Sequence, residues 1–124
     1  MEMEKTELKK NQIEIKQEIE GKNTEIYMKC FANKILIIIS NTGKFGNVIS
    51  AQKLEDENQE ISTFSIDILL GNRNDIFPSV VARNLIEDIT KNLNHSLLLF
   101  ISVSFNSKDS FQKLIKTIIE NKVW

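Results

Sequence analysis

From Ile13 onward apolar and polar residues alternate. Ile13, Ile15 and Ile19 stand at odd positions among polar neighbours, the period of two that a half-buried strand requires. Gly21-Lys22-Asn23 then offers a turn, and over Glu25–Phe31 the residues Ile26, Met28 and Cys30 alternate with Tyr27, Lys29 and Phe31 in a hairpin partner. A third strand is predicted over Lys34–Ser40, apolar at every central position. Asn41-Thr42-Gly43-Lys44-Phe45-Gly46 holds two glycines and an Asn, the residues turns use for positive φ, and is expected to join that strand to an adjacent one at Asn47–Ala51. Lys53–Glu60 is polar apart from Leu54 and predicts a loop. Strand character resumes over Ile61–Leu70, with Phe64, Ile66, Ile68 and Leu70 on one face, and Gly71 ends it.

The period then changes. Pro78 suits a first helical turn, where its missing N–H costs nothing, and Val81, Leu85 and Ile89 recur at four-residue spacing, so a helix is expected over about Ile76 to Asn92. Leu97–Phe105 reads as a sixth strand. Asn106-Ser107 can cap a second helix whose face is Phe111, Leu114, Ile115, Ile118 and Ile119, at i, i+3, i+4, i+7 and i+8. The first twelve residues have only Leu8 as a large aliphatic and read as a flexible charged tail, leaving 13–124 as a single domain. The expected fold is α+β: a largely antiparallel six-stranded sheet or sandwich, in the order βββββαβα, flanked on one side by two helices.

Two helices cover one sheet face, yet Ile35–Ile39 and Leu97–Ile101 are apolar on both. The uncovered face is therefore expected to meet another copy or a related subunit. Leu99, Ile101, Val103 and Phe105 form the continuous apolar set expected under the helices. Leu98 and Phe100 share their face with Ser102 and Ser104 and are the candidate partner-binding residues.

Composition narrows the function. The 124 residues carry 16 Lys and Arg against 17 Asp and Glu, a net charge of −1 that provides no global field for nucleic acid or anionic lipid. Tyr27, Phe31 and Phe45 form no base-stacking motif, so nucleic acid is not an expected partner. Neither a signal peptide nor a run of membrane-span length is present, which points to the cytosol, with the nucleus as a further location. One cysteine, Cys30, forbids an internal disulfide and fits a reducing compartment.

Chemistry is scarce. The one histidine, His95, lies in a polar helix-to-strand loop and reads as solvated, without the second partner a general base needs. One His and one Cys cannot build a zinc site without carboxylates that nothing places, and Cys30 among apolar neighbours reads as a structural thiol. Gly43-Lys44-Phe45-Gly46 matches neither phosphate-binding fingerprint, because its lysine precedes the second glycine and a strand follows. Glu55, Asp56, Glu57 and Glu60 lack the spaced ligands and glycine of a calcium loop. No catalytic residue, metal or cofactor is expected. Lys53, Leu54, Glu55, Asp56, Glu57, Asn58, Gln59 and Glu60 make a long polar loop, a candidate arm for contacting a partner.

Taken in order, the turn Gly43-Lys44-Phe45-Gly46 leading to Ser50, the strand end Leu69-Leu70-Gly71, Ala82 with Asn84-Leu85, the apolar strand Leu97–Val103 and the terminal Val123-Trp124 make the chain resemble the proteasome assembly chaperone 3 family from about Ile13 to Trp124. The resemblance implies a helix-flanked antiparallel β fold and no enzyme activity. It also implies pairing with itself or with a protein like assembly chaperone 4, and binding of an α subunit during assembly of the α ring of the 20S core particle. The Lys53–Glu60 loop would be the α-subunit contact. Val123-Trp124 lacks the penultimate Tyr of chaperones that insert tails into α-ring pockets. The alternative is a small dimeric scaffold of the longin or roadblock kind serving a membrane-traffic complex.

Overall fold

A computed structural model describes residues 3–9, 11–43, 46–54, 63–72, 74–105 and 107–124. Among these residues the chain forms β1 (Met3–Lys9), β2 (Gln12–Ile19), β3 (Lys22–Cys30), β4 (Lys34–Ser40), β5 (Asn47–Leu54), β6 (Thr63–Leu70), α1 (Ile76–Ile89), β7 (Ser96–Ser102) and α2 (Lys108–Glu120). The strands make one sheet in the order β1-β2-β3-β4-β7-β5-β6. The α+β class and the single helical layer agree with the sequence pattern, but the sheet has seven strands instead of six and is mixed.

Two differences have physical causes. The stretch 1–12, expected as a tail, supplies β1 and the first residue of β2. Over Glu4–Glu7 its charges fall on both faces, so hydrophobic periodicity is silent, and β1 holds its edge by backbone pairing to β2. The second difference is β7. It inserts between β4 and β5, parallel to β4 and antiparallel to β5, so β4 and β5 are not neighbours as expected. The return from β4 to β7 runs through β5, β6 and α1, a connection long enough for a parallel pair that short local turns do not reveal.

Local chemistry sets the boundaries. Glu20 and Gly21, at φ 55° and 73°, close the β2–β3 hairpin between the paired Ile19 and Lys22, the two-residue turn whose twist matches the strands. Asp75 caps α1 by accepting from the Phe77 N–H, and Ser107 caps α2 by accepting from the Ser110 N–H. Helix α1 stops three residues before the expected Asn92, since its apolar stripe ends at Ile89 and the Thr90 hydroxyl donates to the Ile86 carbonyl at 2.8 Å.

The core lies between one sheet face and the helices. Ile13 and Ile15 on β2, Ile26 and Met28 on β3, Ile35, Ile37 and Ile39 on β4, Leu97, Leu99 and Ile101 on β7, and Ile49 and Ala51 on β5 meet Val81, Leu85 and Ile89 of α1 and Phe111, Leu114 and Ile118 of α2. Both helices run antiparallel to β7 and parallel to each other. Their starts meet where the Phe77 and Phe111 rings stack at 4.5 Å. Beyond their other ends, Asp88 of α1 accepts from the Trp124 indole N–H at 2.9 Å and from Lys122 Nζ at 3.2 Å.

Candidate interaction surface

On β7, period-two geometry sends Leu97, Leu99 and Ile101 into the core, while Leu98 and Phe100 stand half-buried on the face away from the helices. The pairing register then shows what joins them. Leu98 lies beside Leu36 of β4 and Ser50 of β5, and Phe100 lies between Ile38 and Val48. Val48 pairs in turn with Leu70 of β6, and Ile38 with Tyr27 of β3. One row, Tyr27–Ile38–Phe100–Val48–Leu70, therefore crosses five strands, with Leu36–Leu98 as a second row beside it. Ile38 is 39% exposed and Leu70 53%.

Leu70 is on this face through a register shift. Between Val48 and Ile49 the β5–β6 pairing slips by one residue, so Phe64, Ile66 and Ile68 pack against the core while Leu70 pairs with Val48. The sequence period, which put all four on one side, does not see an inserted residue.

Gly46 closes one end of the patch. A Cβ there would collide with the Ile101 carbonyl and with Ser102, so only glycine lets the chain approach β7 this closely. Beside it an apolar cavity of about 170 Å³ is lined by Ile38, Gly46, Val48 and Phe100. The preceding turn is tied to the end of β7: Asn41 N–H donates to the Ser102 carbonyl at 3.0 Å, Ser104 N–H donates to Asn41 Oδ1 at 2.9 Å, and the Thr42 and Ser102 hydroxyls are 2.6 Å apart.

Of the proposed loop, Lys53 and Leu54 are the last residues of β5, paired with Phe64 and Thr63, and both are exposed. Glu55, Asp56, Glu57, Asn58, Gln59 and Glu60 lie outside the described residues. Leu54 shares the strand parity of Val48 but is six residues away, about 20 Å along an extended chain, so the two candidate regions are not brought together. Tyr27, Leu36, Ile38, Val48 and Leu70 are the members of the patch that sequence reasoning left out, and the signal for Leu36 and Ile38 was present in the two-sided apolar run Ile35–Ile39.

His95, Cys30 and Asp88 each make contacts that tie elements of the fold. His95 Nε2 lies 3.0 Å from the Phe31 carbonyl, so it carries the proton and donates, and the half-buried ring pins the β3–β4 turn to the start of β7. This replaces the expected solvated role. Cys30 packs against the core edge, and burial pushes its thiol pKa up, away from a nucleophilic thiolate. At Asp88 burial alone would raise the carboxyl pKa. The Trp124 N–H and the Lys122 ammonium outweigh that and, with Lys91, hold it below its ordinary value. Among the described residues no group of three His, Cys, Asp or Glu could hold a metal ion, and no helix is long and apolar enough to cross a membrane.

Residues 37–121 match the family model described as proteasome assembly chaperone 3. The fold is similar to a chain of "Crystal Structure of a Novel Chaperone Complex for Yeast 20S Proteasome Assembly", with 20% identity and a TM-score of 0.61 over 86% of this chain and 95% of that one. No curated protein matches it.

Proposed function

The chain belongs to the proteasome assembly chaperone 3 family, and we propose that it promotes assembly of the 20S α ring as a non-catalytic dimer that binds an α subunit. The carrying observation is the row Ile38–Phe100–Val48–Leu70 with Leu36–Leu98 beside it, on the sheet face opposite the one that α1 and α2 cover. Apolar rows on an open face mark association surfaces. A flat sheet face is also self-complementary in shape, so it can meet a second copy or a related chaperone such as an assembly chaperone 4-like protein. The yeast complex of similar fold is described as a chaperone complex, which supports pairing between chaperones. The family match favours this reading over a membrane-traffic scaffold.

Dimerisation through that face would leave the helices and the strand ends free. We place the α-subunit contact at the loop from Lys53 to Glu60, whose acidic residues would steer a basic surface toward it. The cytosol is the proposed compartment, with the nucleus as a second site of action.

Sedimentation at micromolar concentration, alone and with the related chaperone, tests the dimer. A species of about twice 14.3 kDa is expected in one of the two samples, and a monomer in both would overturn the reading. Co-purification followed by mass spectrometry should recover proteasome α subunits. Replacing Glu55, Asp56 and Glu57 with Ser should slow α-subunit association at low salt and leave the dimer intact.

A further inference from the structure

The parallel arrangement of α1 and α2 leaves a groove on the outer surface, on the opposite side of the molecule from the open sheet face. One wall is the α1 stripe Ile76, Phe77, Val80 and Asn84, and the other is the α2 stripe Lys108, Phe111, Gln112, Ile115 and Lys116. The stacked rings of Phe77 and Phe111 join the two walls, and the open groove has a volume of about 660 Å³. Ile76 is 65% exposed and Val80 45%, so this apolar surface is not spent on the fold.

We propose that this groove docks an acidic protein segment that inserts two apolar side chains. Each α1 wall residue from Ile76 to Asn84 falls on one helical stripe about 12 Å long, enough for two anchors one helical turn apart. The charged lining residues are Lys108 and Lys116, and neither Asp75 nor Asp109, at the helix starts, lines the groove. Lys108 forms no ion pair among the described residues, and Lys116 reaches only Glu120, at 3.9 Å on the exposed side. A small polar ligand fits less well, since its site needs converging polar groups, and here the Asn84 amide already donates to the Val80 carbonyl at 2.8 Å and Ile76, Phe77, Val80, Phe111 and Ile115 make most of the lining apolar. The inference does not depend on dimerisation through the sheet, because the two surfaces lie on opposite sides.

The test is fluorescence anisotropy of the full chain with a short labelled peptide carrying Leu and Phe at helical i and i+4 spacing between Glu residues. A twin peptide with Lys for Glu is the comparison. The acidic peptide should bind at least about tenfold more tightly. Lys108→Glu with Lys116→Glu should reverse that preference, and Val80→Asp should abolish binding of the acidic peptide while circular dichroism stays unchanged. Equal binding of the two peptides to the unaltered chain would overturn the proposal without any variant. So would loss of self-association in Val80→Asp, which would make the groove an interface between copies.

Discussion

The open face of the sheet is two surfaces. Across β2 and β3 it presents Glu14, Lys16, Glu18, Glu25 and Lys29, with Tyr27 where the apolar row begins, and across β4, β7, β5 and β6 it presents Leu36, Ile38, Leu98, Phe100, Val48 and Leu70. The opposite face is equally apolar beneath both halves, from Ile15 and Ile26 to Ile37 and Leu99. Burying the core therefore does not decide what the open face carries. Where water is the neighbour, the chain uses charge, as in β2 and β3. The apolar half departs from that rule within the same sheet, and the proposed association would account for a departure that folding does not require.

The largest expected effect separates the two sides of one strand. Leu99 is fully buried under the helices, and its neighbour Phe100 stands on the open face. Leu99→Ala should cost roughly 2 to 5 kcal/mol of stability, read by denaturant unfolding, because it leaves a cavity that the close-packed layer cannot fill. Phe100→Ala should cost the isolated monomer much less. A Phe100 loss as large as the Leu99 loss would mean that the open face is part of the monomer's own core.

Next in size is association. Replacing both Leu98 and Phe100 with Ser should weaken the dimer by about 2 kcal/mol or more, close to thirtyfold or beyond in Kd, measured by sedimentation equilibrium. Far-ultraviolet circular dichroism should not change. If the variant associates as tightly as the parent, the apolar half is not the interface.

What could be read in advance follows from which force sets each feature. Strands β2, β3 and β6 and both helices announced themselves by period, β4 and β7 by unbroken apolar runs, β5 by the turn before it and the Ser107 cap by residue type, because burial, turns and caps leave marks within a few neighbouring residues. Strand β1 left none, since charged residues fall on both of its faces. The place of β7 between β4 and β5 is a long-range pairing that local turns do not encode, and it is what sets Phe100 beside Ile38 and Val48. Parity did place Leu98 and Phe100 away from the helices. It could not place Leu70, which the one-residue register shift carries across the sheet.

The cover over the core face gives a smaller effect with a distinct signature. Asp88 ties the C-terminal Lys122 and Trp124 to α1, and Asp88→Asn should cost about 1 to 2 kcal/mol by weakening charge-assisted hydrogen bonds. The folded carboxyl is held below its value in an unfolded chain, about 3.9, so its contribution is fully present above that value and is lost as pH falls through the folded pKa. The stability of the Asn variant should therefore approach that of the parent in acid. Thermal melting from pH 7 downward checks the sign, and association should be unaffected at neutral pH.

The smallest effect tests the polar half directly. By register Lys16 stands between Glu4 of β1 and Glu25 of β3, a row whose charges alternate in sign across three strands. Facing pairs of opposite charge stabilise a sheet modestly, and like charges placed there destabilise it. Lys16→Glu puts three acids in one row and should cost roughly 0.5 to 1 kcal/mol in low salt, a loss that shrinks as added salt screens these exposed groups. It should leave the dimer constant unchanged, because in this account water covers β2 and β3 in the assembled protein as well. Melting at two salt concentrations reads the first effect and sedimentation the second. A salt-sensitive loss of stability with intact association would fix the boundary between the two surfaces at β3. Loss of association together with stability would extend the interface over the whole open face, and the contrast between its halves would then reflect charge pairing with a partner.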